Sequence, residues 1–160
     1  MYRPSPRIFH FWRRGLLRLF GARIGDGVHP YPSSKVWAPW NLEMQDRSTL
    51  ADYVDCYCVD KICIGRDVTV SQYSYLCTAS HDYSTEAMTL VTAPIVIGDR
   101  VWVTADCFIG PGVMIGKGAV VTARSSVFSD IDEWTVVSGN PAQKTKTRRW
   151  SKPDNRDEAE

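Results

Sequence analysis

The hydrophobic positions between residues 97 and 132 recur every six residues. Written in hexads, the stretch reads IGDRVW, VTADCF, IGPGVM, IGKGAV, VTARSS and VFSDID. The first place is always aliphatic, at Ile97, Val103, Ile109, Ile115, Val121 and Val127. The fifth place is usually small or β-branched, as at Val101, Cys107, Val113, Ala119 and Ser125. A period of six fits neither an α-helix nor a flat sheet strand. It predicts a solenoid of very short strands, in which one aliphatic side chain per hexad points inward and a tight corner follows.

The same period occurs earlier in the chain, with interruptions. Residues 24–28 form a first hexad, and the hexads resume at Met44. The segment between them, residues 31–40, is rich in proline and aromatic residues, and we expect it to be irregular. The stretch from Cys56 to Cys63 carries about two residues too many for the phase.

A longer interruption follows the hexad that ends at residue 81. Residues 82–94 are polar and irregular, and the period returns at Ile97. An insertion of this length at a corner must leave the stack as a loop, and loops on rigid scaffolds often carry binding sites. We therefore predict an all-β domain, a parallel β-helix over residues 24–142, with loop 82–94 ejected.

The N-terminal segment, residues 1–23, contains a predicted short helix. Apolar residues follow roughly helical spacing from residue 7 to residue 20, with four arginines among them, and Gly21 is a plausible stop. One interpretation is a helix at a membrane surface, because aromatic residues and arginines occur together. We favour a helix that covers the open end of the solenoid, because a terminal coil must be covered.

The C-terminal segment, residues 143–160, is predicted to end the domain. A basic stretch follows residue 142, and it acts either as a solvated cap or as a binding surface. The polar residues from Ser151 to Glu160 are predicted to be a disordered tail.

Composition excludes several classes of protein. The 19 basic and 18 acidic residues nearly cancel, which argues against a nucleic-acid-binding protein. No apolar run approaches the roughly 20 residues of a membrane span, and the N-terminus does not have the pattern of a signal peptide. Cys56, Cys58 and Cys63 have the spacing C-x-C-x4-C, which matches no common zinc site. We therefore expect no metal and a reduced, cytoplasmic protein.

His81 is the candidate catalytic residue among three histidines. It is the last residue of its hexad, at an outward corner, and the ejected loop begins directly after it. Imidazole is suited to removing a proton from a hydroxyl group near neutral pH. His10 lies on the predicted helix and His29 precedes Pro30, so we interpret both as structural or solvated.

Stacking of the coils predicts which residues lie above one another, about 4.8 Å apart. If the loop is simply looped out, one corner column contains Lys61, His81, Met114 and Asp132. The adjoining column contains Asp55, Tyr75, Phe108 and Ser126.

The hexads, the phrase SHD at residues 80–82, IGDRVW and SGNPA at residues 138–142 together resemble the hexapeptide-repeat acyltransferases. The similarity is greatest to the branch of galactoside, maltose and colanic-acid-type O-acetyltransferases, and it covers about residues 20–147. The resemblance implies a left-handed parallel β-helix and a homotrimer with sites between subunits. Neither handedness nor trimer follows from the spacing, since left-handed crossovers are the exception.

The resemblance also implies a reaction, the transfer of an acetyl group from acetyl-CoA to a sugar hydroxyl in exopolysaccharide or glycoconjugate biosynthesis. His81 falls on the catalytic base of the family, and backbone N–H groups would hold the oxyanion. Asp55 falls where the family has a polar residue, commonly asparagine, that contacts the acceptor. The aspartate could orient His81 across a subunit boundary, bind a sugar hydroxyl, or be a solvated carboxylate. Asp82 is a second candidate for acceptor binding.

Five residues are candidates for binding acetyl-CoA by the same resemblance. Ala105 matches a position at the thioester end, and Ala123 matches one along the pantetheine arm. Gln143 and Lys146 align with basic positions that contact the CoA phosphates in the family. Gln143 is not basic, so Lys144 is expected to take its place, because cationic side chains recognise phosphates. Trp102 faces outward beside this groove, where it lines the site or packs against another subunit.

Other functions remain open at this stage. A xenobiotic acetyltransferase that modifies an antibiotic is the alternative within the enzyme class, and a non-catalytic assembly scaffold is the alternative outside it. A γ-type carbonic anhydrase needs three converging histidines and is disfavoured, and a serine acetyltransferase is disfavoured because its large helical N-terminal domain is missing.

Overall fold

The structure, a computed structural model that describes residues 2 and 4–149, is a three-sided solenoid of parallel strands. Face A contains β1 (Arg23–Ile24), β4 (Leu42–Met44), β7 (Ile62–Ile64), β12 (Ile95–Ile97) and β15 (Met114–Ile115). Face B contains β2 (His29–Pro30), β5 (Thr49–Leu50), β8 (Thr69–Val70), β13 (Trp102–Val103), β16 (Val120–Val121), β18 (Thr135–Gly139) and β19 (Ala142–Thr147). Face C contains β3 (Lys35–Val36), β6 (Asp55–Tyr57), β9 (Tyr75–Cys77), β14 (Phe108–Ile109) and β17 (Ser126–Val127).

The predicted inward positions form the core. Every first-place and fifth-place residue of the hexads from residue 97 to residue 127 is at most 2% exposed. Each hexad therefore points two side chains inward rather than one. The fourth place turns the corner, with φ between 59° and 78° at Arg100, Asp106, Gly112, Gly118 and Arg124. The hydrophobic period gives no signal for this place.

The length of the coils differs between the two halves of the solenoid. On face A, Met44 pairs with Ile64 in the first half, whereas Ile97 pairs with Ile115 in the second, so the earlier coil is two residues longer. The two extra residues predicted before Cys63 are thus confirmed. The prediction that residues 31–40 are irregular is wrong, because they complete the first coil with β3 and a 3₁₀ turn, Pro39–Asn41.

The predicted loop is a β-hairpin that starts earlier than expected. Strands β10 (Ala79–His81) and β11 (Leu90–Thr92) pair antiparallel and leave the solenoid at the corner between faces C and A. The predicted column of Lys61, His81, Met114 and Asp132 is wrong, because His81 pairs with Leu90 and Met114 pairs with Val96. The column of Asp55, Tyr75, Phe108 and Ser126 is confirmed.

Both ends of the solenoid are covered. Helix α1 (His10–Leu19) contacts β1 and β2, and the chain leaves it at Gly21, whose φ of 91° favours glycine. At the other end β18 and β19 form an antiparallel hairpin that continues to Thr147. The predicted disordered tail, residues 151–160, lies outside the described residues. No helix in the described part of the chain is long and apolar enough to cross a membrane.

Replacement of Gly116 by alanine tests the closeness of the coils. A Cβ atom there would lie 2.5 Å from the backbone nitrogen of Glu133 in the next coil, so the coils must separate. We expect the substitution to lower the free energy of unfolding by about 1–3 kcal/mol, measured by urea denaturation at one protein concentration.

Gly15→Ala is the matched control, since a Cβ atom at Gly15 meets no other atom within 4 Å. Alanine there should raise the free energy of unfolding by about 0.5–1 kcal/mol, because it favours the helix. Equal effects of the two substitutions would contradict the packing described.

Candidate functional site

His81 lies on the hairpin, and one of its ring nitrogens makes a hydrogen bond to the backbone. Its Nδ1 lies 2.5 Å from the carbonyl oxygen of Met88. A carbonyl can only accept, so Nδ1 carries the proton and donates it, and Nε2 keeps its lone pair. The side chain is exposed. This arrangement leaves a proton acceptor at the surface of the hairpin.

The base of the hairpin is fixed to the preceding coil by Asp60. The backbone N–H of Asp60 donates to Thr78 Oγ1 (2.9 Å), and Thr92 Oγ1 donates to Asp60 Oδ2 (3.1 Å). Asp60 therefore holds both ends of the hairpin, which limits how far His81 can move.

Asp82 is engaged within the hairpin tip. Its Oδ1 accepts hydrogen bonds from the hydroxyl (2.5 Å) and the backbone N–H (3.0 Å) of Ser84. The hydroxyl and then the N–H of Ser84 hold the pKa of Asp82 below its usual value. The carboxylate thus shapes the turn, and its predicted contact with an acceptor stays a prediction.

Asp55 lies on face C at the edge of a cavity of about 570 Å³. Its Oδ2 is 3.1 Å from Lys35 Nζ, one coil before it. The cavity is also lined by Trp37, Tyr57 and Tyr75. It combines a paired carboxylate with aromatic rings, which suits a ligand that is polar at its edge and apolar on its face.

The aromatic rings on face C continue along the solenoid. Ring centroids are 5.5 Å apart for Trp37 and Tyr57, 6.3 Å for Tyr57 and Tyr75, and 5.7 Å for Tyr75 and Phe108. The predicted column contained Tyr75 and Phe108 of this row, but Trp37 and Tyr57 were not predicted. The signal was the spacing between Trp37 and Tyr57, which equals the length of one coil in the first half of the solenoid.

The two alanines predicted to contact acetyl-CoA lie together at the corner between faces B and C. Ala105 and Ala123 occupy equivalent turns in successive coils, joined by a hydrogen bond from Arg124 N to Ala105 O (3.0 Å). Ala105 is half-buried and Ala123 is exposed. Because both side chains are small, they leave the backbone of this corner uncovered along a shallow strip.

Trp102 is outward on face B, as predicted. Its Nε1 donates to Ser71 Oγ (3.0 Å). The indole lines a second cavity, of about 680 Å³, together with Arg100 and Arg148. Neither arginine was predicted at this place. Arg148 donates there to the carbonyls of Arg100 and Gly118, which are far from it in sequence.

Lys144 and Lys146 lie on the last strand, β19, at the C-terminal end of face B. They pair with Val137 and Val136 and are exposed. Lys146 lines a further cavity with Arg148 and Arg149. The predicted basic site therefore has side chains that an anion can reach.

One chain does not gather these groups into one pocket. His81 stands at the corner between faces C and A, whereas Ala105 and Ala123 lie at the corner between faces B and C. The width of face C separates them, and Asp55 lies on that face. Trp102 and the lysines lie on face B.

The cysteine cluster in the sequence is not a cluster in space. Cys56 and Cys58 point into the core and are fully buried, whereas Cys63 lies on the outer side of face A. No group of three or more His, Cys, Asp and Glu residues that could hold a metal ion is found among residues 2 and 4–149. A hydrogen bond from Cys56, opposed by burial and aided by Ala38 N–H, lowers the pKa of Cys58 to about 7. No substrate reaches that buried sulfur, so it is a poor nucleophile for catalysis.

Comparison with known proteins finds relatives over most of the chain. WcaF of Escherichia coli (strain K12), provisionally named a colanic acid biosynthesis acetyltransferase, is 47% identical over 138 residues, 86% of this chain and 76% of WcaF. WbbJ of the same organism, provisionally named a lipopolysaccharide biosynthesis O-acetyl transferase, is 31% identical over 67% of this chain and 63% of WbbJ.

A solved structure is similar along almost the whole chain. It is a hexapeptide-repeat-containing acetyltransferase from Vibrio cholerae O1 biovar eltor in complex with acetyl-coenzyme A. The TM-score is 0.83 at 28% identity, over 92% of this chain and 81% of that one. No family model matches the chain. The stacked coils and this likeness confirm the predicted fold class, a left-handed parallel β-helix with one short helix.

The tautomer of His81 is a testable consequence of its hydrogen bond. In ¹⁵N-histidine-labelled protein at a pH where the ring is neutral, we expect the ring proton on Nδ1, because the Met88 carbonyl accepts from that atom. Long-range ¹H–¹⁵N spectra distinguish the two nitrogens, and a His81→Ala sample identifies the resonances. A proton on Nε2 would contradict the geometry.

Proposed function

Because this chain belongs to the hexapeptide-repeat acetyltransferases, with the colanic acid biosynthesis acetyltransferases as relatives, we propose that it transfers an acetyl group from acetyl-CoA to a sugar hydroxyl in exopolysaccharide or glycoconjugate biosynthesis. The chain is an acetyltransferase, and its proposed acceptor comes from the names of WcaF and WbbJ. The observation that supports the chemistry best is His81, whose Nδ1 is held and whose Nε2 is available.

His81 is the general base in this proposal. Nε2 takes the proton from the acceptor hydroxyl as the oxygen attacks the thioester carbonyl of acetyl-CoA. The tetrahedral intermediate then breaks its C–S bond, and the CoA sulfur leaves with the proton from the imidazolium. The hydrogen bond to Met88 O fixes the orientation of the ring. No covalent intermediate on the enzyme is needed.

The cavity beside Asp55 is the proposed acceptor site. A sugar ring has hydroxyl groups at its edge and C–H groups on its faces. Asp55 can accept from a hydroxyl, while Tyr57, Tyr75 and Trp37 offer aromatic faces to the ring. Asp82 remains a candidate for binding the acceptor, because it follows His81 directly in the sequence.

Acetyl-CoA is the proposed co-substrate along the corner between faces B and C. The Vibrio relative is solved with this molecule. A thin pantetheine arm can lie on Ala105 and Ala123, where a larger side chain would intrude. Lys144 and Lys146 are proposed to bind the phosphates, and Trp102 is proposed to line the groove.

A homotrimer with sites between subunits is proposed to complete the site. The supporting observation is that His81 and the two alanines lie at different corners of one chain. A second copy can bring its alanine corner to the first copy's hairpin, which no movement within the rigid solenoid achieves. Five free cysteines accord with the reducing cytoplasm proposed for the enzyme.

Turnover with a panel of acceptors tests the function. Purified protein, acetyl-CoA and candidate sugars, nucleotide sugars or chloramphenicol are mixed, and released thiol is measured. We expect turnover with a sugar or nucleotide sugar. Chloramphenicol as the best acceptor would favour the xenobiotic alternative, and a failure to release thiol with every acceptor would favour the scaffold.

His81→Ala should lower kcat by a factor of about 10²–10⁴ and change the KM for acetyl-CoA little, because the ring is assigned to proton transfer. His29→Ala is the control, since His29 is an exposed histidine of the first coil. Steady-state kinetics of both variants measure this. A loss smaller than tenfold in His81→Ala, or an equal loss in the control, would reject the assignment.

Asp55→Ala should raise the KM for the sugar by about tenfold or more, because a charge-assisted hydrogen bond is lost, while the KM for acetyl-CoA stays unchanged. Glu43→Ala is the control. Glu43 pairs with Arg23 of the preceding coil on face A, as Asp55 pairs with Lys35 on face C, and both carboxylate side chains are 38% exposed. A change in the KM for acetyl-CoA instead would place Asp55 at the donor.

A further inference from the structure

Helix α1 has an unusual inward face, because its buried side chains are Arg13 and Leu17. The guanidinium of Arg13 donates to three carbonyls, Pro30 O (2.6 Å), Pro6 O (2.8 Å) and Arg7 O (2.6 Å), and also to Ser5 Oγ (2.8 Å). A buried cation is tolerated only with such partners. These bonds fix which side of the helix meets the solenoid.

The opposite face of the helix is apolar and faces outward. Phe11 is 64% exposed and Leu19 is 77% exposed, and Trp12 lies between them on the same side. Gly15 completes this face, and nothing lies within 4 Å of a Cβ atom built there. Positions 11, 12, 15 and 19 lie along one side of a helix, opposite Arg13 and Leu17. The side of α1 that carries Arg13 and Leu17 thus covers the first coil, and the apolar side faces away from the coil.

Apolar residues outside the helix add to the exposed apolar surface at both ends. Ile8 precedes α1 and Phe20 follows it, and both side chains are mostly exposed. Together Ile8, Phe11, Trp12, Leu19 and Phe20 form an apolar stripe. An exposed cluster of this kind on a folded protein usually marks a contact surface.

Arginines flank the apolar stripe. Arg14 and Arg18 lie on one side of α1, where they donate to Val28 O (3.1 Å) and Ile24 O (2.9 Å) at the first coil. Arg7 precedes the helix and pairs with Asp52 (3.3 Å). These cations lie between the apolar stripe and the solenoid, at the depth where lipid headgroups would lie if the stripe entered the acyl boundary.

The charge of the whole chain is divided in a way that orients this surface. The segment from Met1 to Gly25 contains six arginines and no Asp or Glu, so the rest of the chain holds all 18 acidic residues and the other 13 of the 19 basic ones. The N-terminal segment is therefore strongly positive, whereas the rest is negative. A negatively charged surface therefore attracts the part of the chain that contains α1.

We propose that the apolar stripe binds the surface of a membrane that contains acidic phospholipids, with α1 lying in the plane of the interface. The aromatic and aliphatic side chains enter the headgroup boundary, and the flanking arginines contact phosphate groups. A helix of 10 residues is about 15 Å long, which is too short to span the bilayer and long enough to lie on it. This holds the acetyltransferase at a lipid surface.

Vesicle flotation with the full chain tests the proposal. Vesicles of phosphatidylcholine with about 30% phosphatidylglycerol are compared with pure phosphatidylcholine. Wild type should float with the acidic vesicles and much less with the neutral ones, and NaCl raised from about 0.1 to 0.5 M should weaken binding. The double variant Phe11→Ser/Leu19→Ser should lower the partition coefficient at least about tenfold.

Phe128→Ser is the matched control, because Phe128 is 60% exposed but directly follows β17 on face C, far from α1 in the stack. Its partition should equal that of wild type. Acetyl transfer to a free acceptor should be unchanged in the double variant, which separates this proposal from the catalytic one. Melting temperatures show that the variants fold.

Three outcomes would overturn the proposal. Wild type that binds neither kind of vesicle has no lipid-binding surface. Equal binding of wild type and the double variant places the contact elsewhere. If wild type binds no vesicles and the double variant also differs from wild type in oligomeric state, measured by sedimentation velocity, the stripe is a contact between copies of the chain.

Discussion

The stacking of each coil directly on the one before it is the constraint on which the structure depends. Backbone N–H groups reach carbonyls one coil away, as from Gly98 to Ile115 O (2.8 Å) and from Gly116 to Ile131 O (2.7 Å). The inward aliphatic side chains fill the space between the three faces, and corner residues with positive φ return the chain to the next face. Extra residues cannot enter a face without breaking this ladder, so they leave at a corner. That is why the insertion carrying His81 projects from the edge of the solenoid.

The same rigidity divides the functional groups among corners. A hairpin fixed by Asp60 presents His81 at one corner, the aromatic cavity beside Asp55 occupies the next face, and Ala105 and Ala123 form the following corner. Each is positioned by the coils and not by the other groups. In the proposed enzyme, a neighbouring chain brings its Ala105 and Ala123 corner to His81. The apolar stripe on α1 then binds the assembly to a lipid surface.

The core and the coil period could be predicted from the sequence, because one inward aliphatic residue per hexad is visible in hydropathy. His81 as a candidate could also be found, but its neighbours could not. The hairpin pairs Ser80 with Val91 rather than with the next coil, and self-pairing across an insertion leaves no periodic signal. The aromatic residues and arginines of residues 7–20 allowed a membrane-surface helix to be considered, but the side of α1 that faces the solenoid could not be predicted. Hydropathy assigns arginine to the solvent, whereas the carbonyls around Arg13 make its burial favourable.

Mixed assemblies of two inactive variants measure whether the site is shared between chains. His81→Ala removes the base, and Ala123→Trp fills the donor groove. The two proteins are unfolded together in equal amounts and refolded, and acetyl transfer is compared with that of each variant refolded alone. If His81 of one chain serves the groove of another, about a quarter of the sites in a random mixture combine an intact histidine with an intact groove, and activity returns to about that fraction of wild type. If activity stays at the level of the separate variants, both halves of the site belong to one chain, which contradicts a shared site.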